Sequence, residues 1–213
     1  MASSMAKKAK HDDRIIDFQL FQRSPPHNGK SFANFMDKML FFRTEGRIEQ
    51  LGLFHFDLPG LSASHVCRWI SAALWRGVKE IDLVFGMFSD YICMLPNALL
   101  FTSKTLVRLK LASPDVMAVP INVCLPCLKT LELKLIQFED DDSVKRLISS
   151  CPVLEDLSIF ISYCDMQNIR SLKISNPSLK RLTLEFKFFC FTLDIVIDLT
   201  SNTRSAEQKS IQS

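Results

Sequence analysis

The sequence has little of what marks secreted, membrane-spanning or nucleic-acid-binding proteins. Its start, MASSMAKKAKHDD, lacks the apolar stretch that follows the basic region of a secretory signal. Its longest apolar run, FKFFCFTLDIVIDL (186–199), contains Lys187 and Asp194 and is too short to span a bilayer. The net charge of +3 comes from residues 1–30, so the rest of the chain is neutral and has no basic stripe for a polyanion. We therefore predict an intracellular protein of the nucleus and/or cytoplasm, with neither nucleic acid nor a membrane as its partner.

Glycine is scarce, at 6 of 213 residues, and the sequence contains no nucleotide-binding loop and no nucleophile elbow. No other pattern in the chain supports catalysis. We therefore predict that the protein is not an enzyme and that it has no catalytic residues, no metal and no cofactor.

Cysteine is the one reactive residue type in good supply, but seven cysteines in a reducing compartment argue against a disulfide framework. The sharpest candidate is CLPC (124–127), which runs directly into a strand pattern, whereas a redox C-x-x-C motif opens a helix that lowers its thiol pKa. A zinc site needs two further ligands, and the sequence has no second C-x-x-C motif and no H-x₃₋₅-H pair. A thiol or zinc protein that uses Cys124 and Cys127 stays as the alternative from another class.

A six-residue pattern, apolar-x-x-apolar-x-apolar, recurs along the chain. Its copies are IEQLGL (48–53), VKEIDL (78–83), LVRLKL (106–111), LKTLEL (128–133), LEDLSI (154–159), IRSLKI (169–174) and LKRLTL (179–184). The last two apolar residues of each copy are two apart, so they share one face of a strand. The first five copies begin 22 to 30 residues apart, close to the period of leucine-rich repeats, while the copy at 169 is out of phase and predicts an extra strand or a shortened repeat. We therefore predict an α/β fold, a leucine-rich-repeat solenoid of strand–helix units that stack on their neighbours.

The segment DSVKRLISSCP (142–152) predicts a helix between two of these strands. Its apolar residues at helical spacing are Val144, Leu147 and Ile148. Asp142 or Ser143 is expected to cap the helix, the acidic run EDDD before it suits the helix dipole better than a cation site, and Pro152 ends it. Cys151 then lies where the chain passes under the next strand, and we predict that it packs as a small apolar residue.

Two further segments, 66–75 and 31–42, also predict helices. For the first, the residues expected to face inward are Val66, Ile70, Ala73 and Leu74, with Trp69 beside them. For the second, they are Phe32, Phe35, Met39 and Phe42. We assign residues 1–30 to a disordered N-terminal segment, residues 31–199 to the repeat domain and residues 200–213 to a disordered tail.

The phrase VCLPCLKTLELKLIQFEDDDSVKRLISSCPVLEDLSI resembles the repeat region of the plant F-box/LRR proteins, many of which also carry an FBD domain. Further marks of this family are FANFMDKMLFFR, RWISAALWRGVKEIDL, LFTSKTLVRLKL and SNPSLKRLTL, so the resemblance covers about residues 31–190. It implies a substrate-recognition role, because in that family the F-box docks on the Skp adaptor of a cullin ubiquitin ligase and the repeats select the protein to be degraded.

The sequence departs from the family pattern at both ends. Residues 1–30 show neither the L-P-x-x-apolar start nor the trihelical apolar pattern of an F-box, so binding of the Skp adaptor is not carried over to any residue here. The chain ends where the family continues with further strands and often the FBD, so the repeat stack is expected to be incomplete at its C-terminal end. A decoy that binds the same substrates without coupling them to a ligase is the alternative within this class.

The third and fifth positions of five hexads point away from the predicted core, and we expect them to bind a protein partner. These residues are Glu80, Asp82, Arg108, Lys110, Thr130, Glu132, Asp156, Ser158, Arg181 and Thr183. Their charge alternates from repeat to repeat, being acidic, basic, mixed, acidic and basic, which suits a protein better than a polyanion. The predicted function is therefore a non-catalytic protein-interaction module.

Overall fold

Seven strands form one parallel sheet whose strand order follows the sequence. The computed structural model describes residues 15–19, 29–42, 48–54, 61–85, 97–112, 116–135, 137–162, 171–187 and 194–198. The sheet has the order β1-β2-β3-β4-β6-β8-β10, and all of its strand pairs are parallel. Its strands are β1 (Ile15–Gln19), β2 (Gln50–Phe54), β3 (Glu80–Val84), β4 (Arg108–Ala112), β6 (Thr130–Lys134), β8 (Asp156–Ser162) and β10 (Arg181–Lys187).

Helices and two small parallel sheets accompany the main sheet. The helices are α1 (Gly29–Asp37), continued by a π-helical turn (Lys38–Phe42), α2 (Ala63–Trp75), α3 (Asn97–Leu100) and α4 (Asp141–Ser149). One small sheet pairs β5 (Val116–Met117) with β7 (Gln137–Phe138), and the other pairs β9 (Ser171–Ser175) with β11 (Asp194–Asp198). The α/β class and the parallel sheet agree with the sequence prediction.

The sheet forms because the hexads alternate apolar and polar side chains at the period of a strand. The fourth and sixth hexad positions of β2, β3, β4, β6 and β8 are buried, at no more than 2% exposure. They are Leu51, Leu53, Ile81, Leu83, Leu109, Leu111, Leu131, Leu133, Leu157 and Ile159. Burying each such side chain contributes about 1.5–3 kcal/mol, and a shift of register by one residue would move all of them into water.

The connectors are less regular than the predicted strand–helix units. Residues 171–174 of the out-of-phase hexad lie in β9, an extra strand that packs beside α4 and does not join the main sheet. Its Leu172 and Ile174 are fully buried, and the Ser171 N–H donates to Asp141 on α4 (3.2 Å). Among their described residues, the connections from β4 to β6 and from β8 to β10 contain a short strand and no helix, so they differ from the predicted strand–helix unit.

Helices α2 and α4 bury most of the residues predicted to face inward. Val66, Trp69, Ile70 and Ala73 are buried on α2, and Val144, Leu147 and Ile148 are buried on α4. Leu74 is only partly buried and packs at the edge of the core. Helix α2 ends at Trp75, and Gly77 follows with a φ of 71°, which glycine adopts readily and which lets the chain turn into β3.

The N-cap of α4 is Asp140, not Asp142 or Ser143 as predicted. The Asp140 carboxylate accepts hydrogen bonds from the Ser143 hydroxyl (2.7 Å) and N–H (2.6 Å), and the bond from the hydroxyl is the main cause that holds the pKa of Asp140 below its usual value. The run EDDD is therefore the start of a helix, with Asp141 and Asp142 in its first turn.

Helix α1 is rotated relative to its prediction. Ala33, Met36 and Leu40 are buried, whereas Phe35 is 44% exposed. Phe32 and Met39 are partly buried, and the side chain of Phe42 lies outside the described residues. The rotation is fixed by Asp37, which accepts hydrogen bonds from the Trp69 Nε1–H (2.8 Å) and from Arg68 (2.6 Å) on α2.

Strand β1 (Ile15–Gln19) lies within residues 1–30, the segment that the sequence analysis assigned to disorder. Its backbone pairs in parallel with β2, from Ile15 opposite Gln50 to Gln19 opposite Phe54. Without it, the edge of β2 would leave backbone N–H and C=O groups without sheet partners. The remaining residues before Gly29, and the predicted tail 200–213, lie outside the described residues.

Candidate protein-binding face of the sheet

The strand register brings all ten predicted residues together on one face of the sheet. The first row runs across β3, β4, β6, β8 and β10 as Glu80, Arg108, Thr130, Asp156 and Arg181. The second row runs across the same strands as Asp82, Lys110, Glu132, Ser158 and Thr183. Because side chains alternate along a strand, both rows lie opposite the buried leucines. We call this surface the polar face.

The second row contains a chain of ion pairs that crosses three strands. The Lys110 ammonium lies 3.8 Å from the Asp82 carboxylate and 3.6 Å from that of Glu132. Lys134, two residues after Glu132 on the same strand, lies 2.8 Å from the same oxygen of that carboxylate, Oε1. Pairs of this kind contribute little stability individually, but a network orients its side chains for a partner.

Asp156 and Arg181 form a two-pronged ion pair between β8 and β10. The Arg181 Nε–H and Nη2–H donate to the two oxygens of Asp156, the second at 2.8 Å. The hydrogen bonds from Arg181 hold the pKa of Asp156 below its usual value, and the same bonds raise the pKa of Arg181. This pair fixes the two charged side chains at the C-terminal end of the first row.

Arg181→Gln is expected to lower the free energy of unfolding slightly at pH 7. It is also expected to reduce the amount of stability that the protein loses when the pH is lowered. The folded pKa of Asp156 lies below its reference of 3.8, so the pair stabilises the fold above that pH and loses this contribution as pH falls through the folded value. Urea midpoints at pH 7 and pH 3 test this. An equal fall of the urea midpoint from pH 7 to pH 3 in the wild type and in Arg181→Gln would contradict the prediction. Thr183→Ala, on the same strand, is the control.

A third row lies beside the second and consists of the residue that directly follows each hexad of the main sheet. The sequence prediction missed this row. It runs as Phe54, Val84, Ala112, Lys134, Phe160 and Glu185. The Lys134 ammonium lies 4.6 Å from the centroid of the Phe160 ring, a cation–π contact. Strand alternation could have revealed this row, because its position lies two residues after the fifth hexad position and so faces the same side of the sheet. The hexad pattern ends one residue before it.

The cysteine alternative finds no supporting geometry among the described residues. Cys124 and Cys127 lie in the turns before β6, and Lys104 Nζ is 3.4 Å from the Cys124 sulfur. Across the described parts of the chain, no three His, Cys, Asp or Glu side chains are grouped closely enough to hold a metal ion. Cys151 is fully buried, as predicted, with its thiol 3.2 Å from the Leu147 carbonyl oxygen.

Cys151 is expected to resist thiol reagents that label Cys127 quickly. Burial raises the pKa of the Cys151 thiol to about 11, whereas Cys127 is exposed. Labelling with iodoacetamide at pH 8, followed by peptide mass spectrometry, measures both rates, and Cys151 should react only after denaturant is added. Because its folded pKa is raised above the reference of 9.0, its contribution to stability is complete below pH 9 and declines as pH rises toward 11. Rapid labelling of Cys151 in the native protein would contradict this burial.

Comparison with known proteins identifies the class of protein that this sheet defines. Residues 66–200 match the family model described as "FBD-associated F-box protein At5g56370, LRR repeats". The chain therefore belongs to the leucine-rich-repeat family of the FBD-associated F-box proteins, as the sequence resemblance predicted. No solved structure matches the chain significantly.

Three relatives from Arabidopsis thaliana show the extent of the similarity. FBD-associated F-box protein At4g10400 is 40% identical over 155 residues, which cover 73% of this chain and 37% of the relative. F-box protein At4g09920 is 38% identical over 170 residues, covering 80% and 52%. Putative F-box/FBD/LRR-repeat protein At4g00315 is 33% identical over 184 residues, covering 85% and 41%. The chain thus spans between about a third and a half of the length of these relatives.

Within the described ranges, no helix is both long enough and apolar enough to cross a bilayer.

Proposed function

We propose that the chain is a non-catalytic protein-binding module, the substrate-recognition part of an F-box/LRR subunit of a Skp–cullin–F-box ubiquitin ligase. The observation that carries this proposal is the alignment of the ten predicted residues in two rows on one solvent-facing side of the sheet. A broad face of mixed charge, held in register by a buried apolar layer, suits recognition of a protein surface. The F-box and LRR names of the relatives support the ligase assignment.

Two further features belong to this proposal. We infer that the parallel strands and their connectors coil as a solenoid, since each strand pairs with the strand of the adjacent repeat. We also place the protein in the nucleus and/or the cytoplasm, where cullin ligases act on their substrates. Binding of the Skp adaptor is left to experiment, because no described residue maps to an F-box.

Affinity purification of the tagged chain from its native cells, scored for the Skp adaptor, a cullin and any third protein, tests the proposal. The decisive variant is Arg108→Glu/Lys110→Glu, which reverses both charges that β4 contributes to the polar face. The matched control is Lys145→Glu/Lys173→Glu, which changes the net charge equally at exposed residues of α4 and β9. Circular dichroism checks that both variants fold.

We expect the third protein to be lost from the polar-face variant and retained by the control. Skp adaptor and cullin recovered with that protein identify a ligase subunit, and a lengthened half-life of that protein on overexpression identifies a decoy instead. Equal capture by the wild type and both variants would contradict a binding role for this face.

A further inference from the structure

Lys134 and Arg181 extend further into solvent than the carboxylates of the polar face, whereas Lys110 is only 22% exposed. The side chains of Asp82, Glu132 and Asp156 are 21%, 19% and 25% exposed. Those of Lys134 and Arg181, which pair with two of these carboxylates, are 37% and 76% exposed. At these two positions an approaching partner therefore meets an ammonium or guanidinium group before it meets the carboxylate that pairs with it.

These cations are concentrated in one part of the face. Arg108 on β4 is exposed, and Lys134 on β6 and Arg181 on β10 lie on the same side of the sheet. Glu80 and Asp82 make β3 acidic instead. From β4 to β10 the three rows hold four cations and three carboxylates, and we call this region, where cations are in slight excess, the basic part of the face.

An apolar strip adjoins the basic part in the third row. Phe54, Val84 and Ala112 are aligned by the register of β2, β3 and β4, and Lys134 follows them on β6. Phe54 and Val84 are only partly buried, so their side chains are accessible to a partner. Neighbouring strands are about 4.8 Å apart, so the strip from Phe54 to Lys134 spans roughly 14 Å.

We propose, on the basis of the protein-binding function proposed above, that the polar face recognises an acidic peptide segment with a large apolar side chain. The apolar side chain packs on Phe54 and Val84, and the acidic side chains pair with Arg108, Lys134 and Arg181. An extended segment rises about 3.4 Å per residue, so its apolar and acidic residues lie about four positions apart. The interleaved carboxylates of the face disfavour a continuous polyanion such as nucleic acid.

Selection from a displayed library of random 12-residue peptides against the full chain tests this proposal. The enriched peptides are then measured by fluorescence anisotropy with the wild type and with variants. Arg108→Glu removes the most exposed cation of β4, Arg108→Glu/Lys134→Glu removes two, and Phe54→Thr removes the apolar anchor while keeping a good strand former. Lys145→Glu/Lys173→Glu is the control for net charge.

We expect the enriched peptides to carry acidic residues about four positions from a large apolar residue. Their affinity should fall tenfold or more in the double charge variant and in Phe54→Thr, fall severalfold in Arg108→Glu, and stay unchanged in the control. It should also weaken as salt is raised, because the pairs are only partly buried.

The alternative outcomes separate the two proposals. Peptides that depend on Phe54 but lack acidic residues and are insensitive to both charge variants would overturn the acidic-segment inference while supporting the binding face. Peptides insensitive to every face variant would show binding elsewhere and would count against both. If the library yields no enriched peptide, the proposal that the face recognises a linear segment is overturned. The binding face itself is tested separately, by the capture of a native protein in the affinity purification described above.

Discussion

Trp69→Ala is expected to lower the free energy of unfolding by about 3–5 kcal/mol, because it opens a large cavity in the core. Trp69 is fully buried on α2 and packs edge-to-face on Phe32, with ring centroids 5.8 Å apart. Its indole N–H also donates to Asp37 (2.8 Å), so the substitution loosens the contact that orients α1. Urea denaturation followed by circular dichroism measures the change.

The chain offers a matched control, since its only other tryptophan, Trp75, lies on the same helix and is 78% exposed. Trp75→Ala should change stability by no more than about 0.5 kcal/mol. Trp69→Phe keeps most of the buried volume and loses the N–H, so its cost should fall between the two. Equal destabilisation by Trp69→Ala and Trp75→Ala would contradict the packing of α1 and α2 described above.

Asn176→Asp is expected to cost on the order of 3 kcal/mol, although it changes only an amide group to a carboxylate. Asn176 is 3% exposed, and its Nδ2 donates to the Ile148 and Cys151 carbonyl oxygens, both at 2.9 Å. Its Oδ1 accepts from the Ser178 N–H (3.0 Å). A carboxylate would lose both donors and would place a negative charge against two carbonyl oxygens at the C-terminal end of α4.

The pH dependence of Asn176→Asp provides a second readout. Burial raises the folded pKa of a carboxyl at this position above its unfolded value of about 4, so the variant should regain stability as pH falls, when the group is protonated. Asn122→Asp, at an exposed position in the turn before β6, is the control and should be nearly neutral. A variant at 176 as stable as its control at pH 7 would disprove the hydrogen bonds that join β9 and α4.

The sequence predicts the main sheet well because burial specifies it redundantly. Each hexad places two apolar residues on the core side, and only one register buries all of them, so the positions of the ten polar residues follow. The same reasoning placed Leu147 and Cys151 inside. Where several arrangements of the chain bury a similar apolar area, the sequence does not select one of them.

The incorrect predictions fall in such ambiguous places. In SFANFMDKMLFF nearly every face of the helix is apolar, so periodicity could not decide whether Phe35 or Met36 faces the core. The hydrogen bonds of Asp37 to α2 orient the helix so that Met36 is buried. The hexad at 169–174 has the strand pattern, but the pattern does not say which sheet it joins. In the candidate site, Phe160 and Lys134 were missed because the pattern ends before them.

The strand order also determines how such a chain can fold. Every strand of the main sheet pairs only with the preceding and following sheet strands, so each pairing step closes a loop of about one repeat, and the entropic cost of closure stays small and nearly constant. The sheet can therefore grow strand by strand while the chain is still being synthesised. A change in the number of repeats would move the ends of the sheet and leave every pairing between them intact.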